Sequence, residues 1–121
     1  MNFLNKNFTE LETFAQSKRE EYVKGTPFPH IIIDNFFNDS VLNNILNEFP
    51  QNLENIGYQY KTKVEQKKFT LNDSKLLSDN TNNFINFLNS QIFLDFLQKI
   101  TGINEKLQSD PYLQGGGLHE L

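Results

Sequence analysis

Phe28-Pro29-His30-Ile31-Ile32-Ile33-Asp34-Asn35-Phe36-Phe37 sets three consecutive β-branched residues between a proline-rich approach and a pair of aromatics. A short, unbroken apolar run of this kind is the pattern of a strand covered on both faces, so a central strand is expected here. Upstream, Thr9 followed three residues later by Glu12 reads as a capping box. Leu11, Phe14, Ala15, Lys18 and Tyr22 then share one face of a helix that runs to about Lys24. Gly25 is placed to end that helix, and Pro27 and Pro29 force an extended approach to the strand.

Downstream of the run, Asp39 or Ser40 offers a helix cap. Val41, Leu42, Ile45, Leu46 and Phe49 make one apolar stripe, and Pro50 stops the helix. From Tyr58 to Val64 the side chains alternate, with Tyr58, Tyr60, Thr62 and Val64 against Gln59, Lys61, Lys63 and Glu65, which suits a half-exposed strand. Leu76 and Leu77 lead to a helix carrying Phe84, Phe87 and Leu88. After a break at Asn89-Ser90, a second helix carries Ile92, Phe93, Phe96, Leu97 and Ile100, with Gly102 as its terminator. Gly115, Gly116 and Gly117 precede Leu118-His119-Glu120-Leu121, where an apolar strand begins with no partner strand expected in the remaining chain.

The 121 residues suffice for one modest core, since a domain of this size buries only about two-thirds of the surface its unfolded chain exposes. Twelve Phe and four Tyr concentrate apolar area in few positions and argue for a folded segment despite a mean hydropathy of -0.55. The absence of Cys excludes disulfides, thiolate nucleophiles and thiolate metal sites. The first residues are too polar for a signal peptide, and no run approaches the roughly 18 apolar residues of a spanning helix, so a cytoplasmic location with no membrane partner is expected. A net charge of -4, with Arg19 as the single arginine, gives no attraction toward phosphate backbones, and nucleic acid is not an expected partner. Lys61, Lys63, Lys67 and Lys68, interleaved with Glu65, read as a solvated strand face.

The two histidines are the obvious metal candidates, because a non-haem iron site takes two His and one carboxylate. One of those His usually stands two residues before the carboxylate on a strand, so that both point the same way. Here His30 is followed at that offset by Ile32, and His119 by Leu121. No metal ligand or catalytic residue is therefore expected in this chain, even with Asp34 or Glu120 reaching from a distance. The phenylalanines of the two late helices read as core more readily than as a ligand-binding wall. The three glycines lack the spacing, the following helix and the Lys of a phosphate loop, which leaves a flexible tail or a tight turn.

Taken in order, FPHIIIDNFF, the Val41 to Phe49 helix, ITGI at Ile100 to Ile103 and the closing DPYLQGGGLHEL resemble the amino-terminal half of bacterial and phage-encoded prolyl 4-hydroxylase-like dioxygenases. These enzymes use iron(II) and 2-oxoglutarate. The resemblance implies an α+β fold in which a helical amino-terminal buttress is followed by the first strands of a double-stranded β-helix, or jelly-roll. It further implies a single incomplete portion over residues 1–121, with a leading helix over 1–26 and the strand and helix portion over 27–121. The iron and cosubstrate ligands would lie past Leu121. In the parent enzyme, iron activates dioxygen, 2-oxoglutarate is decarboxylated to succinate, and a C–H bond of a protein side chain, a sugar or a small metabolite is hydroxylated. No cofactor and no activity are expected for this chain alone. His119 is the residue that the resemblance brings nearest the pocket-forming strands, which makes it a candidate for lining the cosubstrate site, with strand packing as its alternative role. The rival reading is a complete small α+β protein-interaction module without catalysis.

Overall fold

The computed structural model of the chain describes residues 2–51, 58–60, 68–71 and 73–120, the side chains of 58–60, 68–70 and 120 excepted. In chain order the elements are α1 (Leu11–Val23), α2 (Asp39–Asn47), β1 (Tyr58–Tyr60), β2 (Lys68–Leu71), a 3-10 turn (Ser74–Leu76), α3 (Asp79–Leu88), α4 (Gln91–Thr101) and β3 (Leu118–Glu120). The described residues are mostly helical, and the three short strands make one antiparallel sheet in the order β1-β2-β3. The chain is α+β in that coarse sense. Strands of three and four residues do not build a jelly-roll, and none is formed among the described residues.

The helix pair α3 and α4 forms where the periodicity places it. Ser78 caps α3, its hydroxyl accepting from Thr81 N, and Ser90 caps α4, its hydroxyl accepting from Phe93 N. Each supplies an acceptor to an amide that has no partner within its own helix. Gly102 ends α4 in the left-handed region at φ 75°, a conformation that costs glycine nothing. Arg19 adds a second stop from another element, donating Nε to the Lys99 carbonyl oxygen at 2.6 Å. A cation at the negative end of a helix dipole is stabilising, and this contact ties α1 to α4.

The expected face of α1 is the one that packs: Ala15 is fully buried, and Leu11, Phe14, Lys18 and Tyr22 are half-buried. The capping box is not formed. The N-cap is Glu10, with no side-chain hydrogen bond, so Thr9 stands one residue too early for its hydroxyl to reach the first turn. A similar one-residue shift occurs at α2, where Asn38, rather than Asp39 or Ser40, is the cap, its Oδ1 accepting from Ser40 N at 2.9 Å. The helix expected over Val41 to Phe49 ends at Asn47, with Glu48 as its C-cap, so Phe49 and Pro50 lie past it, and the apolar stripe divides. Val41 is buried and Ile45 and Phe49 half-buried, whereas Leu42 and Leu46 are exposed.

The central strand expected at His30 to Ile33 is not a strand. Ile31 and Ile33 are half-buried against the α1/α4 core while Ile32 is 78% exposed, so one face is covered and the other meets solvent. Only the aromatic end of the run pairs, through an isolated antiparallel bridge between Leu4 and Phe37. There Asn5 N donates to Phe36 O at 2.8 Å and Asn38 N to Phe3 O at 2.9 Å. The physical reason is that no neighbouring strand lies beside residues 30–33 among the described residues, and apolar contact with helices satisfies side chains without supplying a ladder.

Two apolar clusters result. The larger gathers Leu4, Ala15, Phe36, Phe93, Phe96 and Ile100 between the amino-terminal segment, α1 and α4. The smaller joins Leu71 of β2 with Leu77 and Leu113, and half-buried Phe49, Ile85 and Leu118 pack against it, so α3 and the segment just past α2 lie against the sheet. The closing strand therefore has the partner that the sequence did not suggest: Leu118 pairs with Leu71, His119 with Thr70 and Glu120 with Phe69. The alternation expected beyond Tyr60, at residues 61–64, lies outside the described residues.

Gly25 stands directly after the C-cap of α1, where it is expected to end the helix, and it has a second role. Lys24 is the C-cap, and a Cβ added at Gly25 would stand 2.7 Å from His30 N and 2.9 Å from His30 O. Those are backbone atoms, held in place because His30 N donates to Tyr22 O at 3.1 Å. Gly25→Ala is expected to cost about 1–3 kcal/mol through overpacking. Chemical denaturation measures this, and an unchanged midpoint would show that the contact relaxes freely.

Candidate functional site

His119 is carried on β3 and positioned by a chain of contacts that starts in α3. Asn89, the C-cap of α3, donates Nδ2 to Ile85 O at 3.2 Å, and its Oδ1 accepts from Asp110 N at 2.6 Å. Asp110 in turn organises the glycine-rich turn. One carboxylate oxygen accepts from Gln114 N at 2.8 Å and the other from Gly115 N at 2.9 Å, while Leu113 N donates to Asp110 O at 3.2 Å. Leu113, at φ 52°, points its side chain into the smaller core and is 5% exposed. Gly117, at φ 148°, then delivers the chain into β3.

Of the two readings left open for the three glycines, the tight turn is the one observed. The backbone amides that an anion would seek are occupied by the chain's own carboxylate, which satisfies them with charge-assisted hydrogen bonds. His119 itself is exposed and sits opposite Thr70 of β2. Leu118 before it faces the smaller core, so consecutive residues of β3 point to opposite faces and His119 takes the outer one.

His30 is held elsewhere, at the mouth of the α1/α4 core. Its Nδ1 donates to the Phe28 carbonyl oxygen at 2.9 Å, and its ring meets Phe28 edge-on at 5.8 Å. Asp34 is exposed on the same segment, and the side chain of Glu120 lies outside the described residues. An iron site of two imidazoles and a carboxylate needs its donors within about 2–2.2 Å of one point. Among the described residues no group of three His, Asp or Glu side chains is assembled to hold a metal ion. The residues present do not fit the iron that the resemblance implies, and no catalytic step is derived through it.

Lys61, Lys63 and Lys67 lie outside the described residues, as does the side chain of Lys68. Of the phenylalanines in α3 and α4, Phe93 and Phe96 of α4 are core, at 9% and 3% exposure, and Phe84 and Phe87 of α3 are half-buried. An open apolar groove that the sequence did not reveal runs beside them, about 420 Å³ in volume, with Tyr22, Pro29, Ile31, Phe37 and Leu97 among its walls. Its only sequence signal is the isoleucine run, which reads as a buried strand because pattern alone does not reveal a missing neighbour. No described helix is long and apolar enough to cross a membrane. Comparison with protein-family models, curated proteins and solved structures finds no match for the chain.

Proposed function

We propose that this chain is the amino-terminal, structural portion of a cytoplasmic, non-haem iron and 2-oxoglutarate-dependent dioxygenase of the prolyl 4-hydroxylase-like kind. The observation that carries the reading is the placement of the stretch Asp110 to Glu120, the most specific part of the resemblance. It ends as an outer strand of the described antiparallel sheet, against whose apolar cluster Ile85 of α3 and Phe49, just past the end of α2, pack. Helices packed behind a sheet hold strands at a fixed pitch, which is what a ligand set on the opposite face of that sheet requires. On this reading the residues described above contribute support, and His119 lines the approach to the cosubstrate site from an outer strand position. Iron and 2-oxoglutarate, when bound in the parent enzyme, would supply the oxidising chemistry, and the substrate would be a protein side chain, a sugar or a small metabolite.

Purified chain supplied with iron(II), ascorbate and 2-oxoglutarate is expected to release no succinate above buffer and to retain no iron after desalting. Stoichiometric iron retention that is lost on replacing His30 and His119 would contradict the proposal. One observation favours the rival, a complete interaction module without catalysis. Leu42 and Leu46, one turn apart on α2, stand exposed at 40% and 69%, an apolar face of the sort that recruits a partner.

A further inference from the structure

No further inference is drawn: the strongest candidate, the open apolar groove of about 420 Å³ walled by α1, α4 and residues 29–37, carries nothing because nothing in the structure shows what covers it.

Discussion

Phe36→Ala is expected to lower stability by about 3–5 kcal/mol, against a total of about 5–15 kcal/mol for a domain, and so to leave the chain partly unfolded at physiological temperature. Phe36 is 7% exposed and lies where the amino-terminal segment, α1 and α4 converge. Its ring meets Phe8 edge-on at 5.0 Å, Phe37 at 5.0 Å and Phe96 at 5.3 Å, with Phe93 at 6.5 Å. Truncation removes the ring's own transfer free energy and leaves a cavity walled by rings of the amino-terminal segment and α4, which do not collapse together. The control is Phe28→Ala. That ring is 63% exposed and, among the described residues, meets no aromatic group but the imidazole of His30, so its loss should fall within about 0.5 kcal/mol. Urea titrations followed by circular dichroism compare the two, and equal midpoints would contradict the core assignment.

Asp110→Ala is expected to cost about 2 kcal/mol and to act locally. The carboxylate satisfies Gln114 N and Gly115 N simultaneously, and its own amide is anchored to Asn89, so this residue links the α3/α4 break to the turn that feeds β3. Without it, two backbone donors lose charged acceptors and the turn loses its reason to close. Hydrogen exchange should then accelerate at Gln114, at Gly115 and in β3, while α1 and α4 remain protected. Uniform acceleration across the chain would indicate a global role instead.

These two residues also mark how far the sequence could be read. Helical periodicity located α3 and α4 and the Gly102 stop, because a stripe of Phe and Ile between Ser caps and a glycine is a local signal. The α1 face was legible for the same reason. The caps of α1 and α2 were not, since Thr9, Glu10, Asn38, Asp39 and Ser40 are all chemically able to cap and only the path of the preceding chain selects among them. The run at residues 30–33 misleads because three isoleucines report burial on one side as readily as on two, and Ile32 faces water. The partner of β3 was hidden because β2, at Lys68 to Leu71, carries no period long enough to register. Gly25 shows the same limit, as the backbone atoms of His30 that require a glycine there come close only through the turn between them.

Of the candidate site, only spacing was legible. Spacing alone removed His30 and His119 from any local His-x-carboxylate motif, and the fold then places them on separate segments, one beside α1 and one in β3. The carboxylate inside the glycine turn was not legible, since Asp110 accepts from amides four and five residues on, beyond the two-residue reach of an Asx turn. Nor was the apolar groove.

Support without ligands is the central claim, and the coding sequence that follows Leu121 tests it most directly. The proposal predicts that the open frame continues into a glycine-rich strand and then a His-x-Asp motif within a further set of alternating strands. A stop codon at this point with no such segment behind it would contradict the oxygenase reading and leave the interaction module in its place.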